Sequence, residues 1–249
     1  MRFFIELSFN GDNYHGWQIQ PSVITIQSEI NRVLSIVLES EIQVTGAGRT
    51  DAGVHALQMY AHFDFDKTID KGLTIERMNR ILSSDILIKD IFQVDNDFHS
   101  RFNAISRTYE YYISDKKTPF KKNVFYLRKE IDVTAMNSAC NYLLGKKDFT
   151  SFSKLKTQTY TNNCNILYAN WSKLNDGYLF KIKADRFLRN MVRAIVGTLI
   201  EVGCGNIEVT HFKDIIDKKD RCSAGFSVPA NALFLVNIEY SNIKIINNG

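Results

Sequence analysis

The sequence predicts an α+β fold built from two similar halves, each a mixed or antiparallel sheet faced by helices. Two observations carry this. Period-two stretches that read as strands and 3.6-period stretches that read as helices are intermixed without regular strand–helix alternation, which argues against a parallel α/β fold. An aromatic-rich strand also opens each half, at Phe3 and at Thr108, and a long amphipathic helix follows in each. The halves are expected at residues 1–104 and 105–249, with their junction near Asn103–Ser106.

In the first half, Phe3, Ile5, Leu7 and Phe9 alternate with Phe4, Glu6 and Ser8, which predicts a strand with at least one buried face. The turn-formers Asn10, Gly11, Asp12 and Asn13 end it. Thr25 is an N-cap candidate for a helix whose apolar stripe is Ile26, Ile30, Val33, Leu34 and Val37. Aromatic and β-branched residues then predict strands at Leu57–Phe65, Ile86–Val94, Thr108–Ser114, Ile166–Leu174, Tyr178–Ala184 and Leu233–Tyr240. Helices are predicted near Ile75–Leu82, Ala135–Leu144, Phe187–Val202 and His211–Lys218.

Composition narrows the function classes. Of 249 residues, 31 are Lys or Arg and 27 Asp or Glu, a balance of +4 that permits a polyanionic partner without requiring one. Cys140, Cys164, Cys204 and Cys222 have no zinc-type spacing and read as reduced thiols. The opening MRFFIELSFNG is too polar for a signal-peptide core, and no apolar run is long enough to span a bilayer, so a cytoplasmic protein with no membrane partner is expected.

The densest motif is Gly46-Ala47-Gly48-Arg49-Thr50-Asp51-Ala52-Gly53-Val54-His55-Ala56, whose small residues let a substrate approach the Asp51 carboxylate. It lacks the lysine of a phosphate-binding loop, the third glycine of a dinucleotide loop and metal-ligand spacing. A plain turn capped by Asp51 is the alternative. In the predicted helix Phe187–Val202 and the residue before it, Arg186, Arg189 and Arg193 fall within roughly 60° at helical periodicity. They read either as a phosphate-gripping ridge or as a solvated face. The strand Ser106-Arg107-Thr108-Tyr109-Glu110-Tyr111-Tyr112 interleaves Arg with tyrosines, as a base-stacking platform or as ordinary core packing. Phe98-His99-Ser100-Arg101-Phe102 adds basic and aromatic character. Tyr14-His15-Gly16-Trp17-Gln18 sets a Trp in a loop, where it is expected to be exposed.

Taken in order, these motifs resemble those of the tRNA pseudouridine synthase A family, and Ala224-Gly225-Phe226-Ser227-Val228-Pro229-Ala230-Asn231-Ala232-Leu233-Phe234-Leu235 resembles its closing motif. There Asn231-Ala232 stands where His-Gly is usual, and Ser227-Val228 where Thr-Ala is. The resemblance implies a pseudouridine synthase fold with a central RNA-binding cleft and isomerisation of uridines 38, 39 and 40 in the tRNA anticodon stem-loop. It implies a homodimer and no cofactor or metal. By resemblance Asp51 is the nucleophile, Arg193 its ion-pair partner, and Tyr109 the residue that packs on the target uracil and assists proton transfer, with Tyr111 on the same strand face. Arg49 would fill the space left by the flipped base. Asp51 could attack ribose C1′, add to the uracil ring or assist a glycal-forming step. Arg186, Arg189, Lys154, Lys156 and the Lys116–Lys122 loop are candidate phosphate contacts. A non-catalytic RNA-binding module would use the same surface without needing Asp51, and a phosphate-handling enzyme is disfavoured by the missing lysine.

Overall fold

The computed structural model describes residues 1–154 and 160–241. Among them are ten strands and five α-helices. In chain order they are β1 (Arg2–Phe9), α1 (Ile26–Leu38), β2 (Thr45–Gly46), β3 (His55–Asp64), α2 (Lys71–Ile81), β4 (Ile86–Val94), β5 (Ala104–Ser114), β6 (Phe125–Tyr126), α3 (Val133–Cys140), β7 (Gly145–Asp148), β8 (Asn163–Leu174), β9 (Gly177–Ala184), α4 (Met191–Gly203), α5 (Val209–Lys218) and β10 (Leu233–Tyr240). The α+β class predicted from the sequence holds. Backbone contacts group Met1–Ile105 with the chain from Leu235 onward, and Ser106–Phe234 separately. The closing strand thus counts mainly with the first unit.

In the first unit the strand order is β4-β1-β3-β10, with the short β2 on β3. β1 runs antiparallel to both neighbours, in registers that set Phe3 opposite Phe63 and Ile5 opposite Ala61. Phe4, Ile5 and Leu7 are fully buried. The period-two pattern therefore marks a strand covered on both faces over its middle. Helix α1 begins where Thr25 and Ser28 form a reciprocal capping box, and it buries Ile26, Ile30, Val33 and Leu34.

In the second unit the order is β5-β9-β8-β7, and β6 lies parallel on β5. Gly177 opens β9 at φ 134°, and a Cβ there would stand 2.0 Å from the Ile113 carbonyl oxygen, so only glycine fits. The core joins Trp171 to Phe180 and Phe152 to Phe212. Helix α4 is buried almost all round, as the central helix of its unit.

This helix corrects one expectation. It starts at Met191 rather than Phe187, because Asn190 adopts the left-handed conformation at φ 66°. The first helical bond is donated by Ala194 N–H to the Asn190 carbonyl. Arg186 and Arg189 therefore lie in the connection from β9 to α4, only Arg193 is on the helix, and no arginine ridge runs along one helical face.

Two predictions come from this packing. A Cβ at Gly197 would sit 1.9 Å from the Phe226 carbonyl oxygen, so Gly197→Ala should cost about 3 kcal/mol in urea unfolding through overpacking against backbone. The His62 imidazole, whose Nδ1 is 2.8 Å from Ser100 Oγ, is pushed down to about 4 by burial, with further repulsion from His99 and Arg2. The unfolded chain takes up this proton near pH 6.5 and the folded chain only near 4. Stability should thus be full above pH 6.5 and fall as the pH drops toward 4. His62→Asn, which keeps a hydrogen-bonding atom near the Nδ1 position, should flatten this dependence in urea midpoints read from pH 7 to 4.5.

Candidate active site

The Asp51 loop joins β2 to β3, and its backbone is fixed by the segment that follows β1. Gly16, at φ 86°, packs so closely that a Cβ would stand 2.5 Å from the Thr50 carbonyl oxygen and 3.1 Å from the Asp51 carbonyl carbon. Trp17 N–H donates to the Thr50 carbonyl at 3.2 Å. The Trp17 ring is 1% exposed, packs near Phe9 and fills the space a Cβ on Gly46 would need. The expectation of an exposed tryptophan is therefore corrected: the small residue at position 46 lets the indole under the loop. Tyr14 is buried too, its hydroxyl 2.8 Å from Ser83 Oγ.

The far end of the loop is held in the same way. Gly11 lies against the Val54 carbonyl, and its N–H donates to Nδ1 of the buried His55 at 3.0 Å. In the neutral ring Nε2 then carries the proton, and it lies 3.8 Å from Asp12 Oδ1. Val54 N–H donates to the Asp51 carbonyl, closing a turn through Gly53 at φ 78°. Between these anchors Asp51 is half-buried and Arg49 exposed, with Arg49 Nε donating to Gln18 Oε1 at 3.2 Å. Gln18 received no role from its sequence context; the signal was its place at the end of the Tyr14–Gln18 motif.

In the second unit, Arg193 Nε donates to the Val228 carbonyl at 2.7 Å, and Val228 N–H returns a bond to the Arg193 carbonyl. The closing segment thus positions Arg193. Its departures from the family pattern have defined contacts: Ser227 Oγ accepts from Asn190 and from Arg221, and Asn231 donates to the Lys122 carbonyl. Arg221 was not singled out from the sequence, and Val228 was noted only as a departure in the closing motif. A guanidinium donating to the Ala224 and Gly225 carbonyls identifies the first; the second acts through its backbone, which residue type does not reveal.

The tyrosines of β5 divide. Tyr109 is half-buried, edge-on to Phe187 with centroids 5.2 Å apart. Tyr111 is fully buried and donates to the Pro229 carbonyl, and burial pushes its phenol well above the ordinary range. Tyr111 is a core residue and not part of a stacking surface. Tyr112 donates to Glu110.

Among the basic candidates, Arg186 reaches the Thr161 carbonyl, the Arg189 carbonyl accepts from Lys154 N–H, and Lys116 and Lys121 both pair with Asp176. Lys156 lies outside the described residues. His99 contacts the His62 ring, and Arg101 stands over the exposed Phe102. The described residues contain no group of three or more His, Cys, Asp or Glu side chains that could hold a metal, and no helix among them is long and apolar enough to cross a membrane. The four cysteines are free thiols.

The profile of a family described as tRNA pseudouridine synthase matches residues 139–241. Proteins named tRNA pseudouridine synthase A are similar along nearly the whole chain. The one from Parabacteroides distasonis is 51% identical over 241 residues, 96% of each chain. That from Bacteroides thetaiotaomicron is 49% identical over 243 residues, 96% of this chain and 90% of its own. A more distant one, from Francisella tularensis subsp. novicida, is 36% identical over 241 residues, 96% of this chain and 93% of its own.

One feature of the loop is measurable without substrate. Thr50 Oγ1 is buried and has no hydrogen-bond partner among the described residues, which costs the folded state desolvation energy. Thr50→Val, which keeps the shape and removes the hydroxyl, should raise stability by about 1 kcal/mol in thermal or urea unfolding.

Proposed function

The chain belongs to the tRNA pseudouridine synthase A family, and on that premise we propose that it isomerises uridines 38, 39 and 40 in the anticodon stem-loop of tRNA, with Asp51 as the reacting carboxylate. Conversion of uridine to pseudouridine in tRNA is an isomerisation. The N1–C1′ bond breaks, the uracil turns, C5 bonds to C1′, the proton leaves C5 and N1 gains one. No atom or electron is added overall, so the protein's task is to extrude the base, hold the pieces and stabilise charge.

The observation that carries the assignment to Asp51 is the frame around it. A half-buried carboxylate on a loop fixed at Thr50 by Gly16 and Trp17, and at Val54 by Gly11, is held at a defined position. As nucleophile it must stay ionised when the base covers it, and the Arg193 guanidinium, itself oriented by the Val228 carbonyl, supplies the opposite charge. Tyr109 packs on the uracil and assists proton removal at C5. Extruding the uridine from a stem costs a few kcal/mol; Arg49, exposed beside the nucleophile, enters the vacated space and offsets part of it. Arg186, Arg189, Lys154 and the Lys116–Lys122 loop hold phosphates. The enzyme acts in the cytoplasm as a homodimer on one tRNA, which shares a modest charge of +4 per chain across two basic surfaces.

Tritium release from tRNA carrying 5-³H-uridine tests this. Wild-type protein should release label, and Asp51→Asn should fold, bind tRNA unchanged and release at least about 10³-fold more slowly. Replacing uridines 38, 39 and 40 by cytidine in the tRNA should abolish release. Release by Asp51→Asn at the wild-type rate would overturn the role of Asp51, and undiminished release from the cytidine tRNA would overturn the site assignment.

A further inference from the structure

The Tyr14–Gln18 motif is only partly explained by the frame around Asp51. Tyr14, Gly16 and Trp17 are buried, whereas Gln18 is exposed and points its Oε1 at Arg49 Nε. Both backbones beneath this contact are fixed. On one side, the Trp17 carbonyl accepts from Gln27 N–H at 3.0 Å and Ile19 N–H donates to Gln27 Oε1 at 3.0 Å, so the residues flanking Gln18 are tied to α1. Gln20 closes the same turn by donating to the His15 carbonyl. On the other side, Ala47 N–H donates to the Tyr60 carbonyl and the Thr50 carbonyl accepts from Trp17, so Arg49 is bracketed as well. The contact between Gln18 and Arg49 is therefore made by two side chains on tethered segments.

An exposed arginine carries about 2 kcal/mol of rotamer entropy, and one placed two residues from a carboxylate is also drawn to that carboxylate. Either tendency works against a guanidinium that must enter a base-sized gap at the moment the uridine leaves. Gln18 opposes both. Its neutral oxygen takes Nε and leaves the two terminal nitrogens out of the bond, and it holds the guanidinium without the charge that a Glu or Asp acceptor would set against the phosphates of the RNA.

We propose that Gln18 is a positioning residue for base extrusion, which holds Arg49 at the edge of the Asp51 loop in the orientation from which it enters the stem. This rests on the reading of Arg49 as the residue that fills the vacated space, and it adds a specific role for the last residue of the motif.

The test is a double-mutant cycle with Gln18→Ala and Arg49→Ala. The substrate is a stem-loop RNA carrying 2-aminopurine beside the target uridine, so that unstacking is read by fluorescence and isomerisation by single-turnover kinetics. Gln18→Ala should slow both the fluorescence rise and the chemical step by about 3- to 10-fold, the range expected for one hydrogen bond. RNA affinity and melting temperature should not change, which a merely structural role would not allow. In the Arg49→Ala background the same substitution should change neither rate. Wild-type rates for Gln18→Ala, or equal slowing in both backgrounds, would overturn the proposal while leaving an impaired Arg49→Ala enzyme as support for the role of Arg49. Wild-type extrusion and turnover by Arg49→Ala would instead overturn the reading on which the proposal rests.

Discussion

The Asp51 site depends on one steric constraint: the backbone at Gly16 occupies a place where no side chain can go. With φ at 86° and the Thr50 carbonyl oxygen 2.5 Å from where a Cβ would be, any other residue would push two loops apart. That approach brings Trp17 N–H onto the Thr50 carbonyl and drops the indole beneath Gly46. Gly11 repeats the device at the other end, where its lack of a Cβ admits the Val54 carbonyl and its N–H finds His55. The loop bearing the carboxylate is therefore clamped at two points by backbone contacts, and a change in either glycine acts on the position of Asp51 before it acts on any charge.

In the second unit the organising element is α4. A helix buried on nearly every side has few outlets for a charged residue, and Arg193 has one because the closing segment runs past it. The close contact at Gly197 brings that segment in, Arg221 fastens its carbonyls, and Ser227 receives both Arg221 and Asn190. Two of the residues that depart from the family pattern here, Ser227 and Asn231, make side-chain hydrogen bonds of their own.

The strands were legible because their signal is local: alternation with aromatic and β-branched residues gave Ile86–Val94 and Leu233–Tyr240 to the residue. Strand β7 was not, since Gly145-Lys146-Lys147-Asp148 has no apolar residue and forms only by pairing with β8. The start of α4 was misplaced because Phe187–Asn190 continue its apolar rhythm, while the left-handed turn at Asn190 leaves no periodic trace. Trp17 and Tyr111 show the same limit for burial. Whether an aromatic side chain stacks on a ligand or fills a core depends on what packs over it, here Gly46 and Pro229. Asp51 and Arg49 drew notice through the order of the motif, whereas the contact between Gln18 and Arg49, 31 residues apart, leaves no local signal.

Arg49 in the first unit and Arg193 in the second are each held through the same atom. Arg49 gives Nε to Gln18 Oε1 and Arg193 gives Nε to the Val228 carbonyl. In both the acceptor is neutral, so this bond orients the guanidinium without adding a counter-charge and uses Nε rather than a terminal nitrogen. Lysine has no equivalent arrangement, because its donors sit on one nitrogen and anchoring that nitrogen ties up the charge itself. This accounts for arginine rather than lysine at both positions. It also separates two demands that conflict in an RNA-modifying site: the guanidinium must be charged enough to meet a carboxylate or a phosphate, yet fixed enough to arrive in one orientation. A backbone or amide oxygen at Nε supplies the second without diminishing the first.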